Sequence, residues 1–292
     1  FMIGSNKEFL EGLSYFFSRP QDSLGAAWSV VSDGYGALFK GSIYNAEAED
    51  IVKAFRPLTE TLRLGAPLIA AGLGIGLAFR VGLFNIGGTG QLIFGMIFAT
   101  WVATRIELPI VLHSFVALIA GILGAMLLGA LVGFLKARTG AHEVILTIML
   151  NYIALYFFTF LMRDPLLLQE ERATGNPKAD PAAVTAQFPK LFGDEYSLHW
   201  GLVLAIAAVV VYWWLMERST IGYRFKLVGH NSHAAKASGI SVERTYIWAM
   251  AASAAFIGLA AVKGDTSKKD ALYAAMNKAQ IDSPRGKFTL SP

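Results

Sequence analysis

The chain of 292 residues has no cysteine, which excludes disulfides, thiolate metal sites and cysteine nucleophiles. It is also short of charge: 16% of its residues are Asp, Glu, Lys or Arg, against about 25% in an ordinary soluble domain. A water-soluble enzyme of this length is therefore not expected. No phosphate-binding loop ending in Gly-Lys-Ser/Thr occurs, and the run Gly72-Leu73-Gly74-Ile75-Gly76 lacks the spacing and strand context of a dinucleotide fingerprint. His142-Glu143 has no second histidine at the zinc-protease spacing. The five histidines, His113, His142, His199, His230 and His233, are scattered, so neither a metal nor any other cofactor is expected. The net charge of +4 is small and its bases are spread between loops, which gives no patch for nucleic acid. The chain opens on Phe1 without a basic-then-apolar leader, and its beginning reads as an interior cut.

What is present is hydrophobicity: 54% of the residues are apolar, and they gather in runs. A spanning helix needs about 20 mostly apolar residues. Residues 64–79, 88–104, 108–135, 143–162, 199–216 and 246–262 qualify or nearly do, the last being the weakest. This predicts an all-α, polytopic transmembrane bundle of five to six spans. Residues 1–63 would form an extracytoplasmic segment, 64–262 the membrane domain and 263–292 a soluble tail.

Charge sets the orientation. The connection 136–142 has two bases and no acid, and 217–245 has five bases and two acids. Residues 163–198 carry four bases and six acids, and 1–63 six bases and eight acids. The basic loops are expected in the cytoplasm and the other two segments outside. In the outer N-terminal segment, Pro20, Gly25, Gly34 and Gly36 punctuate a series of aromatics. Two readings stay open there: short helices on the membrane surface, or a folded loop packed on the bundle.

Polar groups within apolar runs are candidates for function. The densest cluster is Phe84-Asn85-Ile86-Gly87-Gly88-Thr89-Gly90-Gln91. Glycine permits non-helical backbone, which is tolerated at membrane depth where it is buried or lines a path. The segment reads either as an interrupted or re-entrant helix along a translocation path, or as a tight cytoplasmic turn with helix caps. Asn151 lies mid-span with Thr147 one turn earlier on the same face, suited to interhelical hydrogen bonding or to the path. Gly121, Gly124, Ala125, Gly129, Ala130 and Gly133 recur at three- and four-residue spacing, as close helix packing requires. In the largest basic loop a short helix can be capped by Asn231 or Ser232, continue through Ala234, Ala235 and Lys236, and end at Gly239. Its small residues suit insertion into a partner's groove; a loop that simply returns the chain to the membrane is the other reading.

Three ordered motifs carry a resemblance: Gly82 to Gln91, Lys136 to Tyr152, and Gly229-His230-Asn231-Ser232-His233-Ala234-Ala235 through Gly239-Ile240. Over roughly residues 15–261 the chain resembles permease subunits of bacterial ABC importers for nucleosides and simple sugars, in the ribose and branched-chain amino-acid permease group. That resemblance implies a transport subunit of the inner (plasma) membrane that is not itself an enzyme. Its partners would be a cytoplasmic ABC ATPase, a second permease subunit, an extracytoplasmic substrate-binding protein and membrane lipid. It implies ATPase coupling through Gly229, Asn231, Ala234, Ala235 and Gly239, and a pathway at Asn85, Gly87, Gly90, Gln91 and Asn151. It also favours the interrupted helix. Family members have a span before the position of Phe1 and further spans after residue 263. The tail from Gly264 instead resembles the C-terminal part of a periplasmic binding protein of the branched-chain amino-acid type, which points to deletion, misassembly or fusion; a natural permease tail with coincidental similarity is the alternative. An ATP-independent channel or secondary carrier, and an inactive fused fragment, are the rival readings.

Overall fold

The computed structural model describes residues 9–11, 19–163, 183–186, 188–193 and 195–261. Among them the regular structure is helical, apart from an isolated antiparallel bridge between Lys190 and His199. The tail at 263–292 lies outside the described residues, as does most of the acidic connection after Arg163. The described chain falls into two compact units, one drawn from Phe1–Gly65 and Lys190–His199, the other from Ala66–Pro189 and Trp200–Pro292.

In the first unit, helix α1 (Pro20–Ser42) is continuous where the sequence suggested short pieces. Proline at its first position has no amide hydrogen to lose. Gly25, Gly34 and Gly36 each cost about 1 kcal/mol relative to alanine without clashing with the helix. Its end is tied to helix α2 (Ile51–Arg80), because Thr61 Oγ1 donates to the Ser42 carbonyl at 2.7 Å and the Asn45 amide donates to the Ala54 carbonyl at 3.0 Å. The α2 start corrects the expected one at residue 64. Charged residues lie along the added turns, where Arg63 pairs with Glu60 at 2.7 Å. The apolar run thus marks only part of the helix.

The second unit is built on α3 (Gly88–Arg105), α4 (Ile110–Thr139), α5 (Glu143–Leu161), α6 (Gly201–Arg218), α7 (Thr220–His230), α8 (Ser232–Ala237) and α9 (Val242–Leu259). Helix α4 packs chiefly on α9 and α3. The small-residue stripe is the reason. A β-carbon on Gly129 would overlap Ala254 and the Met250 carbonyl, one on Gly133 would lie 2.7 Å from the Ile247 Cα, and one on Gly124 2.7 Å from the Phe94 carbonyl. These pairs set α4 antiparallel to both neighbours. Beside them, α3 runs parallel to α5, with Gly87 against Thr147, Gly90 against Asn151, and Phe94 stacked on Phe157 at 5.8 Å.

Among the described residues, four helices are long and apolar enough to cross a membrane: Ile51–Arg80, Val111–Thr139, Glu143–Leu161 and Gly201–Arg218. Helices α3 and α9 are less apolar because they face protein. Nine residues of α9 are buried, among them Ser253 and Thr245, and α3 buries Gln91. Helices α5 and α6 expose Tyr152, Tyr156, Phe160, Val210, Trp213 and Trp214, a surface made for lipid. The protein is a polytopic helical membrane protein.

Candidate functional site: an interrupted helix and a capped loop

Helix α2 stops at Arg80 and α3 begins at Gly88; residues 81–87 between them are not helical. The chain turns on Gly82, whose φ of 77° is in the left-handed region that glycine favours. At that turn the Arg80 carbonyl packs on Gly229 of α7. By Asn85 the chain has climbed to the level of Ser253, and Gly88 lies beside Ile257. Ser253 comes 11 residues after the α9 start at Val242, or about 16 Å along that helix at 1.5 Å per residue. The amino end of α3 begins about one turn in from the start of α5, where Gly87 packs on Thr147, four residues after Glu143.

A closed polar network holds the segment. Asn85 and Gln91, 2% and 0% exposed, pair amide to amide. Asn85 Nδ2 donates to Gln91 Oε1 at 3.0 Å, and Gln91 Nε2 donates to Asn85 Oδ1 at 3.1 Å. The second Asn85 hydrogen goes to Ser253 Oγ at 2.8 Å, and Ser253 donates onward to the Gly74 carbonyl at 2.7 Å. The Gly87 amide completes the set by donating to Asn85 Oδ1 at 3.1 Å. Every hydrogen of the Asn85 amide is matched, as a group in low dielectric requires.

Helix α5 supplies a second clamp from residues at i, i+4 and i+8. Glu143 Oε1 accepts from the Phe84 amide at 3.4 Å while its other oxygen pairs with Lys136 at 2.6 Å. Thr147 fits against Gly87, where a β-carbon would come within 3.0 Å of it. Asn151 Oδ1 accepts from the Gly90 amide at 2.8 Å and its Nδ2 donates to the Ile86 carbonyl at 3.1 Å. Gly90 is needed because a β-carbon there would sit 2.8 Å from the Asn151 oxygen. The residues proposed from sequence, Asn85, Gly87, Gly90, Gln91 and Asn151, are thus brought together. In this conformation their polar atoms bond to each other and to backbone. Sequence reasoning missed Ser253 and Glu143. Ser253 is a single serine in an alanine-rich helix, and Glu143 was visible only as a charge opening a span.

The second cluster is the loop after α7. Asn231 Oδ1 accepts from the His233 and Ala234 amides, both at 3.0 Å, and caps α8 as its sequence suggested. Helix α8 ends on Gly239, φ 80°, with the Ile240 amide donating back to the Ala235 carbonyl at 3.0 Å. Ala235 is fully buried, whereas Asn231, His233, Ala234, Lys236 and Gly239 are exposed. The loop is rooted by Gly229, where a β-carbon would overlap the Arg80 carbonyl. The same end of the bundle holds Lys136, its Nζ 5.8 Å from the centre of the Tyr246 ring. At the opposite end, buried His113 bonds Thr185 Oγ1 at 2.7 Å and the Val102 carbonyl at 3.2 Å, which fixes residues 183–186 over the α3–α4 turn.

Residues 58–263 match the family model described as the permease component of the branched-chain amino acid transport system. The chain belongs to this permease family. Among curated relatives, the permease is 37% identical over 230 residues to the guanosine ABC transporter permease protein NupP of Bacillus subtilis, covering 79% of this chain and 63% of that protein. It is 34% identical over 236 residues to the nucleoside ABC transporter permease protein NupB of Lactococcus lactis, covering 78% and 62%. It is also 32% identical over 256 residues to the glucose ABC transporter permease protein TsgB13 of Haloferax volcanii, covering 83% and 64%. The permease chain spans slightly under two thirds of the length of these relatives. No solved structure matches it.

Proposed function

We propose that this permease is the membrane subunit of an ATP-driven importer in the inner membrane, bringing a nucleoside or a simple sugar-like solute into the cell. Hydrolysis would belong to a cytoplasmic ABC ATPase; a second permease subunit and an extracytoplasmic binding protein would complete the assembly. The observation that carries this reading is the contact between Gly229 and the Arg80 turn. It joins an exposed, capped, small-residue helix directly to the base of the interrupted segment. Pulling on α8 would shift the Arg80–Gly82 turn, and with it the amides of Asn85, Gln91 and Asn151, which would line the path once parted. The relatives that act on guanosine, nucleosides and glucose support the solute class. The motion is a rocking between two packings around this segment, biased by ATP.

The test is uptake of labelled guanosine and of labelled glucose by cells producing the permease with its partners. Uptake is expected to stop on deletion of the ATPase, and also with Gly239→Trp, which a φ of 80° does not accommodate. Uptake that persisted without the ATPase, or that followed an ion gradient, would identify a channel or secondary carrier. No uptake in any arrangement would identify an inactive fragment.

A further inference from the structure

Helix α1 divides into three sectors around its axis. Ser23, Ala27, Val30 and Gly34 form a covered or half-covered seam of small residues. Asp22, Ser29, Ser32, Asp33 and Lys40 form an exposed polar sector. Between them runs an apolar stripe, Leu24, Trp28, Val31, Tyr35 and Leu38, spaced four, three, four and three residues apart, which holds one face of a 3.6-residue helix. Trp28 is 74% exposed and Tyr35 72%, and Leu24, Leu38 and Phe39 are exposed too. A stripe that long, about 21 Å at 1.5 Å per residue, is not left facing water in a stable fold.

We infer that α1 lies in the plane of the membrane, its apolar stripe immersed in lipid at the boundary between headgroups and acyl chains. A spanning orientation is excluded by the polar sector, which would put Asp22, Asp33 and Lys40 against hydrocarbon along the helix. Lipid, and not a protein partner, is the occupant because the stripe runs on toward a helix apolar enough to cross the membrane. Past Ser42 it continues through Ile43 and Tyr44, and the Tyr44 ring meets Phe55 of α2 edge-on at 5.2 Å. Phe55 belongs with exposed Ile51, Leu62 and Leu64 to a helix apolar enough to cross the membrane. Trp and Tyr are also the side chains that favour membrane interfaces, an apolar body with a polar tip. The polar sector carries two acids and one base, so the attraction is to the apolar boundary itself, not to anionic headgroups. The sequence reading of short surface helices becomes one continuous interfacial helix.

The absence of cysteine makes the test direct, since a single introduced cysteine is the sole labelling site. Spin labels at Leu24→Cys, Tyr35→Cys and Leu38→Cys, and separately at Ser29→Cys and Asp33→Cys, are read in the permease reconstituted into phosphatidylcholine vesicles. The ratio of oxygen to nickel-chelate accessibility is expected to be several-fold higher at the stripe positions than in the polar sector. A second readout leaves the stripe intact: the emission lost in Trp28→Phe is the Trp28 signal, and brominated phosphatidylcholine should quench it. A high nickel accessibility at all five positions would place the stripe in water and overturn the inference. Stripe labels shielded from both reagents, with Trp28 unquenched, would show that protein covers the stripe, and would overturn it equally.

Discussion

The interrupted segment at 81–91 and the loop helix at 229–240 have similar composition: glycine, asparagine and small residues set into an apolar chain. Their surroundings make them opposites. Around Asn85 the polar groups are buried and bonded to one another, so the motif fixes a non-helical backbone inside the bundle. Around Asn231 the polar groups serve only to cap a short helix, and the remaining surface is left exposed. The same residue type therefore holds a non-helical backbone in one place and presents a surface in the other. Gly229 is where the two regions touch.

The two regions can be disturbed together at that contact. Gly229→Val forces a branched side chain into the Arg80 backbone, an overpacking of about 3 kcal/mol, and should remove most of the folded permease seen by size-exclusion chromatography in detergent. Next in size is Asn85→Leu, which strips partners from Gln91, Ser253 and the Gly87 amide at about 2 kcal/mol. Its melting temperature in detergent should fall clearly, and the double change Asn85→Leu, Gln91→Leu should cost less than the sum, because the two amides are one unit. Strict additivity would show that the network is not cooperative. Asn151→Ala frees the Gly90 amide and the Ile86 carbonyl and should cost about 1 kcal/mol, with faster hydrogen exchange at Gly90. Smallest for stability is Asn231→Ala. It removes a cap worth about 1 kcal/mol from α8 alone, so the global melting temperature should stay unchanged while ATP-dependent uptake falls sharply. An unchanged uptake would reduce the cap to local structure.

Much of this was legible in the residues, for identifiable reasons. The α8 helix was visible because capping is local: Asn231 and Gly239 act on amides and carbonyls a few residues away. The packing role of Gly124, Gly129 and Gly133 was visible because helical spacing puts them on one face. The cluster of Asn85, Gln91 and Asn151 could be suspected, since polar groups in apolar runs need partners. Ser253 could not be identified as the partner, because it is 168 residues distant in sequence from Asn85 and joins it only through the packing of α9. The beginning of α2 was misplaced because apolar runs report contact with lipid, not the extent of the helix. For the same reason α3 and α9 look weak by composition although they are the most enclosed helices.

On the proposed coupling, movement of the loop helix reaches the interrupted segment through the Arg80 turn. Ile86, 49% exposed within that segment, reports on it directly. The decisive measurement is the rate at which a water-soluble maleimide labels Ile86→Cys in the permease reconstituted with its ATPase, with and without ATP and vanadate. The nucleotide is expected to change the rate, and adding Gly239→Trp is expected to abolish the change. An identical rate in all conditions, with the ATPase bound and hydrolysing, would contradict the coupling.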